Sequence, residues 1–192
     1  TGSRNGIQAK RAEFPLSVEQ SLRIKKFCSE TSVTPFILFA SLIAIFFWRT
    51  QGKETIVIGA TVLNRLTLKD KNTMGAYFND VPFIMDIDPN IKLAQFLDYL
   101  STQWMELLRH SSYPYVNLLK DYREDHKAKN KIFDVTLTYI NASYKHQPED
   151  DFTVLSETHF NDEEVSSLCI GIRDIEGNGI YDISYDYAQD LI

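Results

Sequence analysis

The run from Val33 to Trp48, VTPFILFASLIAIFFW, contains no charged residue and constrains the fold more than any other part of the sequence. Its continuous apolar part is shorter than the ~20 residues that cross the hydrocarbon layer of a membrane. Thr34 stands where a helix N-cap belongs and Pro35 where the first helical residue belongs, as in helices of soluble domains. Because apolar residues cover the whole helix circumference, we expect a buried central helix over residues 35–50, ended by Gln51-Gly52, and no membrane span.

Local signals predict three further helices and two strands before residue 123. Ser17 and Gln20 form a capping box at the start of the first helix. Pro82 lies inside the second strand, which indicates a sheet edge or a bulge. Apolar residues recur at helical spacing after the turn at residues 88–90. The predicted helices cover residues 18–31, a long segment ending near Arg109, and residues 115–122; the predicted strands cover residues 55–62 and 79–87.

The second half of the chain is predicted to consist mainly of strands. FDVTLTYIN, residues 133–141, alternates apolar and polar side chains as a half-buried strand does. FTVLSETHF, SLCIGIRDI and GIYDISYDY are three more predicted strands, and the last two form a hairpin across residues 176–179. The segment KDYREDHKAKNK, residues 120–131, is predicted to be a charged, solvated loop.

This order of elements predicts one domain of the α/β class, an α+β sandwich with a mixed β-sheet and helices packed on one face. At 192 residues the chain is long enough to bury a sizeable core. We expect residues 1–13 to be a tag or linker and residues 14–192 to form the domain.

Charge and cysteine usage exclude several function classes. Twenty Lys and Arg against 26 Asp and Glu give a net charge of −6, so a nucleic-acid partner is not expected. Cys28 and Cys169 lie far apart and have no zinc-like spacing to other ligands. We therefore expect two reduced thiols in a cytoplasmic protein, with no metal site and no disulfide.

The sequence contains no self-contained active site. Its four histidines, His110, His126, His146 and His159, belong to no catalytic or metal-binding motif. It has no Gly-rich phosphate loop and no nucleophile elbow. We expect His126 and His146 to be exposed in loops and His159 to be structural within a strand.

Four segments resemble, in order, the condensation domains of nonribosomal peptide synthetases. Residues 34–65, TPFILFASLIAIFFWRTQGKETIVIGATVLNR, resemble the family pattern TPFxxLLAAFxxLLxRxxGQxDIVVGTPVxGR. MGAYFNDVPF resembles IGxFVNTLPL, HSSYPYVNLL resembles HQDVPFExLV, and KNKIFDVTLTY resembles RNPLFQVxFxx. The order and spacing of the four segments make the resemblance specific, and it covers residues 14–192.

The resemblance implies a chloramphenicol-acetyltransferase-like lobe. Members of the family look like two such lobes in a V, and the HHxxxDG motif with the catalytic histidine belongs to the first lobe. This sequence has no such motif. The resemblance therefore implies the C-terminal lobe, with no catalytic residue in this chain and with the N-terminal lobe and the final helices lying outside it.

The same resemblance implies a reaction and its partners. The whole domain would form amide bonds between aminoacyl or peptidyl thioesters in the synthesis of secondary metabolites such as antibiotics. The partners would be the N-terminal lobe, the upstream and downstream peptidyl carrier proteins and an adjacent adenylation domain. The carriers would hold the substrates on 4′-phosphopantetheine, and no cofactor or metal would be bound directly.

The resemblance assigns four residues to the substrate tunnel: Asn79, Tyr77, Asp80 and Arg65. Asn79 matches the asparagine of the VNT motif, where an amide can donate to a developing oxyanion. The alternative is an asparagine that satisfies backbone groups at the start of a strand. Asp80 replaces the motif threonine. Arg65 matches the GxR arginine, which would pair with a carboxylate across the lobe interface or lie on the surface.

Six further positions match family motifs and are expected to be structural. Ser111, Ser112 and Val116 replace the polar residues of the HQDxPF motif, so the segment before residue 115 is predicted to be a turn between helices. Phe133 is expected in the core. The six motif positions are Gly75, Pro82, His110, Pro114, Asn130 and Phe133.

Two other functions stay open at this point. The chain can be a noncatalytic condensation-like module that only docks carrier proteins. It can also be a lobe of a related acyltransferase that uses coenzyme A thioesters. An intact HHxxxDG in the sequence before residue 1 would favour condensation, and a lost second histidine would favour docking.

Overall fold

Seven strands and five helices make up the part of the chain that the structure describes. The computed structural model describes residues 7–65, 67–127, 131–141, 159–174 and 179–191. The strands are β1 (Ile7–Pro15), β2 (Thr55–Val62), β3 (Asn79–Asp86), β4 (Val135–Asn141), β5 (Glu163–Glu164), β6 (Leu168–Asp174) and β7 (Asp182–Ala188). The helices are α1 (Val18–Thr31), α2 (Pro35–Gln51), α3 (Leu68–Lys71), α4 (Leu93–Arg109) and α5 (Tyr115–His126), and a 3-10 turn, Gln189–Leu191, follows β7.

All seven strands belong to one mixed sheet in the order β3-β2-β4-β6-β7-β1-β5. β4 runs parallel to its neighbours β2 and β6. The other neighbouring pairs run antiparallel, including β6 and β7, which were predicted to form a hairpin. The predicted α/β class with a mixed sheet is confirmed.

Helices α1, α2 and α4 pack on one face of the sheet. Ile58 and Met85, from β2 and β3, belong to the same buried cluster as the apolar residues of these helices. The Phe36 ring of α2 lies 4.2 Å from the Trp104 ring of α4, measured between centroids, and Phe83 of β3 lies 5.2 Å from Trp104. The core therefore lies between the sheet and α2, where the apolar run predicted it.

Helix α2 begins and ends at the predicted signals. The Thr34 hydroxyl accepts a hydrogen bond from the Ile37 N–H at 3.3 Å, and Gly52 ends the helix with a φ of 67°, in the left-handed region. The first half of α2 is buried on nearly all sides, whereas Leu42 and Phe46 in the second half are exposed. No single helix among the described residues is long and apolar enough to cross a membrane.

Strand β3 lies at one edge of the sheet, as the proline inside it predicted. Pro82 is paired with Gly59 of β2, and the register continues without a bulge from Asn79 to Asp86. A proline carries no N–H to donate, so an edge is the position in a sheet that tolerates it best.

The expected tag or linker over residues 1–13 is wrong for residues 7–13. These residues belong to β1, which pairs with β7 from Ala9 to Pro15. The Arg11 guanidinium donates to both oxygens of Asp186, at 2.6 and 2.8 Å, so β1 is held by a bidentate ion pair as well as by the sheet. This bond raises the pKa of Arg11.

Two other expectations differ from the structure. Residues 120–126 are helical, because α5 continues to His126, so only the later part of the charged segment follows the helix. The predicted strand FTVLSETHF lies mostly outside the described residues, and its last two residues, His159 and Phe160, are not in a strand. His126 is exposed as expected, and His146 lies outside the described residues.

Candidate functional site

The amide of Asn79 joins the start of β3 to the turn between α4 and α5. Its Nδ2 group donates to the carbonyl oxygens of Ser111 at 2.9 Å and Tyr113 at 2.8 Å. Its Oδ1 atom accepts a hydrogen bond from the Tyr115 N–H at 3.0 Å. Both N–H groups of the amide are therefore engaged with backbone atoms of this chain, which matches the alternative of a structural asparagine. A place in a substrate tunnel stays a prediction.

Ser111 is a buried member of this site that the sequence reasoning did not single out. Its hydroxyl lies 2.9 Å from the Leu108 carbonyl oxygen and 3.3 Å from Oδ1 of Asn64. Asn64 has a φ of 51°, in the left-handed region that asparagine tolerates. The end of β2 and the turn after α4 are thus joined by side chains. The only sequence signal was the match to the HQDxPF motif, at a position where serine replaces the family residue.

Arg65 organises the connection between β2 and β3. Its guanidinium donates to the carbonyl oxygens of Thr73 and Gly75, each at 2.7 Å, and to that of Asp70. The same group lies over the Tyr77 ring, 4.4 Å from its centroid. These contacts are not those of a plain surface arginine, and a carboxylate partner across the lobe interface stays a prediction. Arginine suits this position because its planar group presents several donors and stacks on an aromatic ring.

Gly75 and Tyr77 complete the same loop. Gly75 has a φ of 149°, a backbone conformation that side chains rarely adopt, and a Cβ at this position would meet the Tyr77 ring at 3.4 Å. The glycine thus lets its carbonyl face Arg65 while the ring packs beside it. The expected structural role of Gly75 agrees with these contacts.

Asp80 faces the side of the sheet opposite to the core. Its Oδ1 atom accepts a hydrogen bond from the Thr61 hydroxyl at 2.7 Å, and that hydroxyl lies 3.1 Å from the hydroxyl of Thr138. A row of three polar side chains therefore crosses β3, β2 and β4. The carboxylate that replaces the motif threonine is held in a fixed orientation by its neighbours on the sheet.

Several large apolar side chains near Asn79 are exposed. Met74 is 98% exposed and Phe78 is 66% exposed. Leu63 and Leu68, from the same connection between β2 and β3, are also exposed. We name these four residues the apolar loop surface.

Phe133 packs on the face of the sheet opposite to the core. Its ring lies over Gly59 and 5.0 Å from the Tyr115 ring, measured between centroids. Burial raises the pKa of Tyr115. Phe133 is buried, as expected, but in a contact that joins α5 to β2 rather than in the main core. Asn130 lies outside the described residues.

A groove with a volume of about 820 Å³ lies beside this contact. Its walls come from the end of α2, the start of β2, α5 and the segment before β4. Three cations, Lys53, Arg123 and Lys131, line it together with one carboxylate, Asp134. The Lys131 ammonium lies 3.7 Å from that carboxylate and donates to the Val165 carbonyl oxygen, so Lys53 and Arg123 carry the unbalanced charge of the groove. We name it the basic groove. It is a local concentration of positive charge on a chain whose net charge is −6.

His110 and Pro114 bound the turn that Asn79 holds. His110 is exposed at the end of α4, and its Nε2 atom lies 3.5 Å from a carboxylate oxygen of Glu106. Pro114 is the N-cap residue of α5, and its side chain forms no capping hydrogen bond. The predicted turn between helices is confirmed by these positions.

The described residues contain neither a candidate metal-binding cluster nor a disulfide. No group of three or more His, Cys, Asp and Glu that could hold a metal ion occurs there. Cys28 is buried and Cys169 is half-buried, and neither forms a disulfide. Burial raises the pKa of the Cys28 thiol, which keeps it protonated.

Comparison with known proteins identifies the family. The sequence model described as "Condensation domain" matches residues 3–191. Surfactin synthase subunit 1 of Bacillus subtilis is 31% identical over 180 residues, which cover 93% of this chain and 5% of that protein. A plipastatin synthase from the same organism is 24% identical over 188 residues, or 98% of this chain and 7% of that protein. This chain belongs to the condensation domain family.

Solved structures agree with this assignment. The first condensation domain of the CDA synthetase superposes with a TM-score of 0.77 at 14% identity, covering 100% of this chain and 41% of that one. A four-domain nonribosomal peptide synthetase superposes with a TM-score of 0.79 at 18% identity, covering 96% of this chain and 15% of that one. The fold is the chloramphenicol-acetyltransferase-like α/β fold of condensation domains. The chain spans well under half the length of each of these relatives.

Proposed function

We propose that this chain is the C-terminal lobe of a nonribosomal peptide synthetase condensation domain. The observation that carries the proposal is the family match over residues 3–191, together with a superposition that covers all of this chain but 41% of a solved condensation domain. The absence of HHxxxDG from the sequence supports the same division, because the resemblance assigns that motif to the first lobe.

The proposed reaction is aminolysis of a thioester. The amine nitrogen of an aminoacyl group on one carrier attacks the carbonyl carbon of an acyl group on the other carrier. A C–N bond forms, the surplus proton on nitrogen passes to a base in the N-terminal lobe, the C–S bond breaks, and the departing phosphopantetheine thiolate takes up that proton to leave as a thiol. This chain would supply one wall that aligns the two tethered substrates and excludes water.

The apolar loop surface supports a partner lobe. Met74 and Phe78 are exposed in the connection between β2 and β3, whose backbone is held by hydrogen bonds from Arg65. An ordered surface of this kind loses little conformational entropy when another protein covers it. We propose that the N-terminal lobe of the same domain is that protein.

The basic groove supports carrier proteins as partners. A phosphopantetheine arm carries a phosphate, and Lys53, Arg123 and Lys131 present cations in one groove. We propose that a carrier places its phosphate against this groove, with the arm as substrate rather than as a resident cofactor. An adjacent adenylation domain and a cytoplasmic location belong to the same proposal, the latter because neither cysteine forms a disulfide.

The test is a single-turnover condensation assay with two loaded carrier proteins. The condensation domain that contains this chain, with its N-terminal lobe, is expected to yield a carrier-bound amide that mass spectrometry detects. This chain alone is expected to yield none. A product from the chain alone would contradict the assignment of the chemistry to the other lobe.

The same assay separates the two alternatives. Carrier binding without product from the whole domain would identify a docking module. Product formation from a coenzyme A thioester and a free amine, without carriers, would identify a related acyltransferase.

A further inference from the structure

Helix α5 begins without a capping side chain of its own. Its N-cap residue is Pro114, which forms no side-chain bond to the first turn. By contrast, Ser17 and Thr34 cap α1 and α2 through their hydroxyl groups. The first N–H groups of a helix have no intrahelical partner, so the start of α5 needs an acceptor from elsewhere.

Asn79 supplies that acceptor from another element. Its Oδ1 atom binds the Tyr115 N–H, the first of α5, while its Nδ2 group binds the carbonyl oxygens of Ser111 and Tyr113. Three hydrogen bonds from one side chain therefore fix both the turn after α4 and the start of α5 to the edge strand β3. The Tyr115 ring at the start of α5 also packs on Phe133, with 5.0 Å between the ring centroids.

We propose that Asn79 is a positioning residue that acts on condensation through α5. Helix α5 carries Arg123, which lines the basic groove together with Lys53 and Lys131. The orientation of α5 therefore sets the distance between the cations of that groove. The inference rests on the proposed function for its link to catalysis, but the contact between Asn79 and α5 can be tested without it.

Amide hydrogen exchange tests the structural part in the condensation domain that contains this chain. Asn79→Ala is expected to speed exchange in the first turns of α5 by at least about fivefold, the equivalent of one lost N-cap. Exchange in α2 is expected to stay unchanged. Asn72→Ala, at an exposed position of α3's C-cap, is the matched control and is expected to leave α5 unchanged. Unchanged exchange in α5 of Asn79→Ala would overturn the inference.

Pro114→Ser gives α5 a cap of its own and makes the test sharper. The introduced hydroxyl accepts from the N–H of Val116 or Asn117, whereas Asn79 accepts from the Tyr115 N–H, so the two acceptors stabilise the start of α5 through different bonds. Pro114→Ser is therefore expected to slow exchange in the first turns of α5 in the Asn79→Ala background. No slowing there would show that a loosened helix start is not the effect of Asn79→Ala and would contradict the inference.

Kinetics separate positioning from direct chemistry. If Asn79→Ala shifts α5, the carrier concentration that gives half the maximal rate is expected to rise by about fivefold, while kcat stays within about twofold of the parent value. Pro114→Ser is expected to restore part of the lost carrier affinity. A fall in kcat of about 10²–10³-fold at unchanged carrier KM, the effect of losing an oxyanion donor, would overturn the positioning role. If the parent domain forms no amide at all, the proposed function fails, while the exchange measurements still decide the role of Asn79.

Discussion

The ring of Phe133 covers Gly59 so closely that a Cβ built on the glycine would lie 2.2 Å from Cε2 of the ring. Gly59 lies in β2, between Ile58 and Ala60, which face the core on the other side of the sheet. Phe133 precedes β4, and its ring also contacts Tyr115 at the start of α5. A single glycine therefore lets an aromatic side chain join α5 and the segment before β4 to strand β2.

Substitution of Gly59 by alanine is expected to destabilise the chain. The added methyl group overlaps the Phe133 ring, and overpacking of this kind costs about 1–3 kcal/mol of unfolding free energy. Urea denaturation measures the change. The double variant Gly59→Ala, Phe133→Leu is expected to recover part of the loss, because the smaller side chain leaves room. Equal stability of Gly59→Ala and the parent would show that the ring moves aside without cost.

Loss of the Arg11 side chain is expected to destabilise the sheet through β1. Arg11→Ala leaves Asp186 buried without its partner, and breaking a buried pair costs about 3 kcal/mol at the lower end of the usual range. Arg23→Ala, at an exposed position of α1, is the control and is expected to change stability by less than about 0.5 kcal/mol. Matching denaturation curves for both variants would mean that the ion pair between Arg11 and Asp186 contributes little to stability.

Replacement of Arg65 by lysine is expected to loosen the loop between β2 and β3. Lysine keeps the charge but cannot reach the carbonyl groups of Asp70, Thr73 and Gly75 together or stack in the same way on Tyr77. Hydrogen exchange in α3 is expected to become several times faster, with exchange in α2 unchanged. Lys71→Arg, an exposed change in the same loop, serves as the control. Unaltered exchange in Arg65→Lys would show that its hydrogen bonds do not hold the loop.

The half-buried Tyr139 and the buried Tyr181 are expected to make stability fall at high pH. Burial raises the pKa of both hydroxyl groups, so the folded chain holds these protons more tightly than the unfolded chain. Their contribution to stability is complete below the unfolded pKa of about 10 and is lost as pH rises toward the folded pKa.

Tyr139→Phe removes one of these titrating groups. Unfolding free energy measured at about pH 8 and about pH 10.5 is expected to fall less in Tyr139→Phe than in the parent chain. Tyr99→Phe, on the half-buried side of α4, controls for the loss of a hydroxyl group. An equal fall in the parent and in Tyr139→Phe would contradict the assignment.

Elements with local signals could be predicted from the sequence. The caps of α1 and α2, Ser17 and Thr34, bind N–H groups three residues further on. The stop of α2 at Gly52 depends on that residue's own conformation. Each of these capping or stop residues lies within a few positions of the groups it acts on, so a local sequence pattern reveals it. The bounds of β2 and the edge position of β3 followed from equally local evidence.

The elements that the sequence reasoning missed depend on distant partners. β1 carries charged residues that look like a linker, and its Arg11 binds Asp186, 175 positions later. Arg65 binds backbone carbonyl groups. Because every residue has one, the identity of a residue in the sequence does not show that it is a partner of Arg65. Asn79 was found through a family motif. A motif identifies a position, but the contacts of Asn79 with the turn before α5 required the structure.

The edge position of Pro82 affects how this sheet can meet another chain. β3 leaves one side without a neighbouring strand among the described residues, and such a side can recruit a strand from another chain. Pro82 offers no N–H there, and Asp80 and Asp86 place negative charges on either side of it. The edge is therefore a poor template for an incoming strand, which opposes aggregation through β3.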